Sequence, residues 1–132
     1  MSREIKFRCW DNKENRYVRI QNLNFVDNQP SSVSYHKKGH KGFTNTRYPN
    51  FILEQYTGLK DRNGKEIYEG DIVTMEYDLD DLESDDYYLI TFSNGCFRVG
   101  NGYVNEAGPY LSDWQVIGNI HENLELIGGK DE

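Results

Sequence analysis

The chain has 132 residues, which suit one domain, or one small domain with an appendage, and exclude two large domains. Apolar residues make up only 36% of it while aromatic residues reach 14%, a balance that favours sheet over helix. The net charge of −7 is divided: residues 1–50 carry ten Lys or Arg against four Asp or Glu, and residues 51–132 carry five against eighteen. No apolar run is long enough to cross a bilayer and the N-terminus has no signal-peptide pattern, so we expect a cytoplasmic protein without membrane contact.

The first twenty residues are predicted to form a β-hairpin. Residues 4–10 alternate between apolar and polar side chains, which is the period of a half-buried strand. A polar turn at 11–15 follows, and residues 17–20 resume the extended pattern. After a cluster of strand-breaking residues, residues 33–35 are predicted to form a short strand at the edge of the sheet.

Residues 36–49, HKKGHKGFTNTRYP, have the composition of a loop. Phe43 and Tyr48 are interleaved with the cations of this segment, a combination that contacts phosphates and stacks on bases in some proteins. The same residues also suit a solvated hairpin tip, and both interpretations stay open. The cations that form this candidate interaction surface are Lys37, Lys38, Lys41 and Arg47.

Turn signatures are densest between residues 56 and 74. An apolar run at 51–56 predicts a buried strand, and Asn63-Gly64 predicts a hairpin turn because both residues tolerate positive φ. Gly70 and Asp71 predict a second tight turn, in which Gly70 has positive φ and the Asp71 carboxylate accepts backbone hydrogen bonds. A strand with one apolar face is predicted to follow at 72–77.

The C-terminal third predicts three further strands. Asn94-Gly95 joins two β-rich runs, 87–93 and 96–99, and this is the clearest hairpin in the sequence. Residues 114–120 give a last strand, and the tail after it is expected to make a helical turn. Many short strands with glycine turns are typical of a small β-barrel.

No pattern predicts a catalytic, cofactor-binding or metal site. Cys9 and Cys96 lie far apart in apolar runs and are predicted to be buried, reduced thiols, while the three histidines lack ligands at zinc spacing. Residues 78–86 hold six carboxylates but lack the central glycine of a calcium loop. An exposed acidic loop is the simpler interpretation of that segment.

Three segments together resemble the YopX family of small proteins encoded by phages and prophages. Residues 3–11, REIKFRCWD, resemble its N-terminal signature, with Cys9 where alanine is more usual. Residues 55–73, QYTGLKDRNGKEIYEGDIV, are similar to its most distinctive motif. Residues 116–123, VIGNIHEN, are similar to its C-terminal motif, although Leu124 replaces a common proline.

The resemblance implies an organisation in two parts and no established activity. Residues 51–132 are expected to form an SH3-type small barrel, and residues 1–50 an N-terminal β-hairpin region that carries the basic loop. The fold class expected is therefore mainly β. Fold alone does not give function.

Two classes of function stay open. The favoured one is a non-catalytic binding or assembly module of phage development, because no nucleophile with its base, phosphate loop or ligand set is present. We expect it to self-associate through its oppositely charged loops in the host cytoplasm, with an unidentified phage or host protein as a further partner and no nucleic acid or cofactor. The alternative is a metal-dependent hydrolase or nuclease that uses Asp61, Asp71 or the carboxylates of residues 78–86.

Overall fold

The computed structural model describes residues 4–75, 87–93, 95–99, 102–103 and 114–128. These residues form three antiparallel sheets, and the predicted mainly β fold is confirmed. The strands are β1 Phe7–Asp11, β2 Arg16–Val18, β3 Asn22–Val26, β4 Gln29–Tyr35, β5 Thr44–Arg47, β6 Phe51–Lys60, β7 Glu66–Tyr68, β8 Asp71–Met75, β9 Tyr87–Ser93, β10 Cys96–Val99, β11 Gly102–Tyr103 and β12 Trp114–Asn119. A short helix, α1 Glu125–Gly128, follows β12. None of the described helical residues belongs to a helix long and apolar enough to span a membrane.

The chain divides into two compact units. The N-terminal unit is Lys6–Gln55, and the C-terminal unit contains residues 1–5 and 56–132. The boundary falls inside β6, which passes from one unit into the other. The first half of β6 therefore pairs with β1 in the N-terminal unit, and the second half pairs with β7 in the C-terminal unit.

The N-terminal unit holds its own hydrophobic core. The predicted hairpin is present: β1 pairs with β2, and the other side of β1 pairs with β6. The strands β3, β4 and β5 form a separate sheet in that order. Strands of both sheets supply the buried core residues, which are Cys9, Val18, Val33, Tyr35 and Phe51.

Two predictions for this unit are wrong. Residues 33–35 belong to β4, the central strand of its sheet, and not to an edge strand. The hairpin that pairs β3 with β4 turns at Asp27 and Asn28, whose φ values of 52° and 67° are those of a tight two-residue turn. The segment 36–49 is not all loop either, because it contains β5, which places Thr46 in a buried position.

The C-terminal unit is built on a five-stranded sheet in the order β11-β10-β9-β8-β12. Its core is formed by buried aliphatic residues and one tryptophan: Ile67, Val73, Ile90, Val99, Trp114 and Val116. Strand β8 is covered on both faces, since Ile72 and Val73 are both fully buried, whereas the sequence predicts one apolar face. No pairing among the described residues joins β11 to β12, so a closed SH3-type barrel stays a prediction.

Burial in the N-terminal core predicts a loss of stability in alkali. Burial raises the pKa of the Cys9 thiol from 9.0 to about 12, and the nearby Asp11 and Glu54 carboxylates add to the rise. Burial, and then the hydrogen bond that the Tyr35 hydroxyl donates to Asp11 at 2.8 Å, raises the pKa of Tyr35 from 10.0 to about 12. Both groups keep their protons in the folded chain at pH values where the unfolded chain loses them. The free energy of unfolding should therefore fall as pH rises above 9.

Cys9→Ala tests this expectation. The Cys9 contribution to the loss should be on the order of 1 kcal/mol at pH 10, one unit above the unfolded thiol's pKa of 9.0. Urea denaturation at pH 8, 9 and 10 should show a smaller loss of stability for Cys9→Ala than for wild type. Cys96→Ala leaves Cys9 in place and should lose stability as wild type does. Equal losses in all three proteins would contradict the prediction.

Candidate interaction surface

Asp61 serves the fold through both of its carboxylate oxygens. Its Oδ1 accepts hydrogen bonds from the backbone N–H groups of Asn63 at 2.8 Å and Lys65 at 2.9 Å, which closes the turn between β6 and β7. Its Oδ2 accepts a hydrogen bond from the backbone N–H of Val116 in β12 at 3.0 Å. The side chain is only 5% exposed. Asp61 therefore ties a local turn to a strand that follows much later in the chain.

Hydrogen bonds to the backbone also hold the turn before β8. Gly70 has a φ of 88°, as the sequence predicts. Its N–H donates to the carbonyl of Ile90 at 2.7 Å, and its carbonyl accepts from the N–H of Ile120 at 2.8 Å. The buried Asp71 carboxylate accepts from the backbone N–H of Tyr68 at 2.8 Å. This turn therefore joins three segments of the C-terminal unit.

Two more of the predicted turn residues, Gly64 and Gly95, have the backbone conformation expected of them. Gly64 and Gly95 both have a φ of 81°, which glycine adopts without strain. Asn94 and the acidic residues 78–86 lie outside the described residues. Across the described parts of the chain, no three His, Cys, Asp or Glu side chains converge as metal ligands.

Gly118 is a structural requirement that the sequence pattern alone did not indicate. A Cβ at this position would lie 2.6 Å from the amide carbon and 2.9 Å from the Cβ of Asn123. The Asn123 side chain comes this close because its Oδ1 accepts a hydrogen bond from the Asn119 N–H at 3.1 Å. The C-terminal motif is thus a compact turn that needs a residue without a side chain.

The predicted basic residues of the loop after β4 lie beside the turn between β1 and β2. The Glu14 carboxylate is 3.2 Å from the Lys37 Nζ and 3.9 Å from the Arg16 Nε, so one acidic side chain joins the two segments. The Arg16 guanidinium also lies 5.6 Å from the centre of the Tyr35 ring. We name the group of cations on these two segments the basic end; its members are Lys13, Arg16, Lys37, Lys38 and Lys41.

The cations of the basic end are not equivalent. The charge of Lys37 is offset by Glu14. Lys13, Lys38 and Lys41 are exposed, and among the described residues none of them forms an ion pair. Phe43, in the same loop, is 58% exposed and adds an apolar group. Lys38, Lys41 and Phe43 are therefore available to a binding partner.

The structure does not bring Arg47 into the basic end. Arg47 pairs with Ser32, whereas Thr44, where β5 begins, pairs with Tyr35 at the end of β4 nearer the basic loop. Three residues of extended chain separate the two positions by about 10 Å. The four cations predicted as one surface therefore divide into three loop lysines and a separate arginine.

An open cleft of about 400 Å³ lies in the N-terminal unit and has a mainly apolar lining. Its lining residues are Gln29, Pro30, Tyr48, Phe51 and Leu53. Tyr48 is 73% exposed and forms part of the rim. The sequence could not predict this cleft, because its residues come from β4, β6 and the segment after β5, and β4 and β5 were not recognised as paired strands.

Charge is divided between the two units of the structure. The N-terminal unit carries nine Lys or Arg against four Asp or Glu, a net of +5. The rest of the chain carries six against eighteen, a net of −12. Because Asp11 and Glu54 are buried, Glu14 and Asp27 are the exposed or partly exposed carboxylates of the N-terminal unit. The accessible surface of this unit is consequently more basic than the net charge of +5 indicates.

Comparison with known proteins supports the resemblance found in the sequence. The crystal structure of protein EF1440 from Enterococcus faecalis is similar, with 27% sequence identity and a TM-score of 0.67 over 96% of this chain and 99% of that one. The crystal structure of protein yopX from Bacillus subtilis is similar in fold, with 24% identity and a TM-score of 0.57 over 92% of this chain and 96% of that one. No functionally curated protein matches the chain. Since the family model described as YopX protein matches residues 6–128, which is most of the chain, this protein belongs to the YopX family.

Proposed function

We propose that this protein is a non-catalytic binding or assembly module and that the basic end is its binding surface. The observation that carries the proposal is the contrast between two sets of charged residues. Lys38 and Lys41 are exposed without an ion pair among the described residues, in a unit with a net charge of +5. Asp61 and Asp71 instead point into the fold and accept backbone hydrogen bonds.

The alternative, a metal-dependent hydrolase or nuclease, has weaker support. A cation at Asp61 would compete with backbone N–H groups that already donate to both oxygens of a buried carboxylate. Asp71 is 1% exposed, so a substrate bound to a cation there would have no access to it. Hydrogen bonds to the backbone of glycine-containing turns are enough to explain why carboxylates occupy these two positions.

The wider setting of the proposal follows from the family. Resemblance to phage and prophage proteins favours a role in phage development, in the cytoplasm of the bacterial host. Opposite charge on two units of one small chain favours self-association, with a phage or host protein as a further partner. For the C-terminal unit we propose closure into an SH3-type small barrel. Short antiparallel strands joined by glycine turns, which this unit contains, are typical of such barrels.

Binding that depends on two named lysines tests the proposal. Wild-type protein and the Lys38→Glu, Lys41→Glu double variant are immobilised and exposed to lysate of phage-infected bacteria, with and without nuclease treatment. We expect wild type to retain a protein that the double variant loses, because reversing both charges repels an anionic partner. Nuclease treatment should not release that protein. Equal retention by both baits would contradict a function of the basic end.

A parallel assay addresses the alternative function. Purified protein is incubated with single-stranded and double-stranded nucleic acid in the presence of Mg²⁺ or Mn²⁺. We expect no cleavage above that of a mock preparation. Cleavage that Asp61→Asn or Asp71→Asn abolishes, while circular dichroism shows a folded protein, would establish the hydrolase instead.

A further inference from the structure

The chemistry of the basic end defines the partner that it can accept. Its exposed cations come from two adjacent segments, so they are spread over a surface and not focused on one point. Phe43 contributes an apolar contact beside them. A fitting partner therefore carries several spaced anionic groups with bulky apolar side chains between them.

One segment of the chain itself has this composition. Residues 76–86, EYDLDDLESDD, contain seven carboxylates in eleven residues and no cation. Tyr77, Leu79 and Leu82 lie between the carboxylates, so acidic and apolar side chains alternate over much of the segment. Because acidic and apolar side chains lie within a few residues of each other, one segment can supply groups both for the cations and for the aromatic ring.

We propose that the basic end binds residues 76–86 of a second copy of this chain, an inference that builds on the proposed binding function. Two copies each have a net charge of −7. At physiological ionic strength, however, charges farther apart than about 8 Å are largely screened, so local complementarity decides the contact. Opposite local charges then guide the segment to the lysines, and the apolar side chains add a contribution that salt does not weaken.

Nucleic acid is a less suitable occupant of the same surface. A phosphate backbone gains affinity mainly from the number of cations that it contacts, and three lysines without an ion pair among the described residues, Lys13, Lys38 and Lys41, contribute little. The bases of a single strand can stack on Phe43, so the small number of cations is what disfavours nucleic acid.

Each copy carries one basic end and one acidic segment, so the two sides of the contact are different surfaces. Such a heterologous contact lets each molecule bind two neighbours. Association should therefore grow with protein concentration and weaken as salt is added. Changing either surface should interrupt it.

A labelled synthetic peptide of residues 76–86 tests the proposal against the full-length chain. Fluorescence anisotropy should show saturable binding to wild type at low salt and weaker binding as sodium chloride is raised. Lys38→Glu, Lys41→Glu should weaken peptide binding about tenfold or more. The matched control, Lys60→Glu, Lys65→Glu, makes the same charge change at two exposed lysines of the C-terminal unit and should bind as wild type does.

Peptide variants separate the two contributions. Replacing Leu79 and Leu82 by serine keeps every charge and should weaken binding at high salt more than at low salt. Replacing the carboxylates by amides should abolish binding. Sedimentation velocity on the full-length protein should show association that Lys38→Glu, Lys41→Glu removes and that the control variant keeps.

The possible failures have different meanings. A peptide that does not bind, or that binds both double variants equally, overturns the inference. If the lysines still hold a protein from the lysate, the proposed function stands and its partner is another chain. A single-stranded oligonucleotide that binds wild type more tightly than the peptide, in a manner dependent on Lys38 and Lys41, would assign the surface to nucleic acid.

Discussion

Asp61→Asn should lower the free energy of unfolding by about 2 to 3 kcal/mol. Asparagine has one acceptor oxygen where aspartate has two, and its NH₂ group only donates. The best compromise keeps the oxygen on the Asn63 and Lys65 N–H groups and turns the NH₂ towards the Val116 N–H, so that two donors face each other. The site is buried enough that water cannot replace the lost hydrogen bond. Urea denaturation measures the loss of stability.

Hydrogen exchange gives this prediction a residue-specific signature. The Val116 amide should lose protection in Asp61→Asn, while the amides of Asn63 and Lys65 keep theirs. The matched control is Asp27→Asn, the same chemical change at an exposed turn residue whose positive φ asparagine also tolerates. The role assigned to Asp61 would be refuted if Asp27→Asn lost as much stability as Asp61→Asn. It would also be refuted if the Val116 amide kept its full protection from exchange in Asp61→Asn.

The sequence predicts the C-terminal turns well because their determinants are local. Positive φ at Gly64 and Gly70 follows from the residue type and the neighbouring turn formers. The long-range consequences are not local and were not predicted. That the Asp61 carboxylate reaches Val116 depends on β12 lying beside the turn, which no pattern within the motif encodes.

The sheet β3-β4-β5 was missed for identifiable physical reasons. β5 reads Thr-Asn-Thr-Arg and has no apolar residue, so its inward face is marked only by small β-branched threonines. Pro30 indicates a break in the sequence, yet it lies in β4 opposite a register shift, where a missing N–H costs the ladder little. Asp27-Asn28 forms a tight turn without the glycine that usually reveals one.

The candidate surface was predicted in part for the same reasons. Charge and exposure of Lys38 and Lys41 follow from composition. That Glu14 offsets Lys37 and that Arg47 lies apart follow from strand pairing, which the pattern did not reveal. Lys38 and Lys41 are therefore the lysines whose substitution tests the surface.

Arg8→Met should lower the free energy of unfolding by about 3 kcal/mol, because it takes a guanidinium away from a buried charge. The Arg8 Nε donates to the Glu54 Oε1 at 2.7 Å, and the Tyr17 hydroxyl donates to the same oxygen at 2.8 Å. Glu54 is only 4% exposed, so water cannot replace the lost donor. The Arg8 guanidinium also lies 4.4 Å from the centre of the Tyr17 ring, and that contact is lost as well.

A second change tests whether the buried charge causes the loss. Glu54→Gln in the Arg8→Met background removes the charge, keeps an acceptor for the Tyr17 hydroxyl, and should restore part of the stability in urea denaturation. Arg19→Met, a matched change at an exposed arginine, should stay within about 0.5 kcal/mol of wild type. If Glu54→Gln instead adds its own full cost to that of Arg8→Met, the loss comes from packing of the Arg8 side chain on Tyr17, and the buried charge is not its cause.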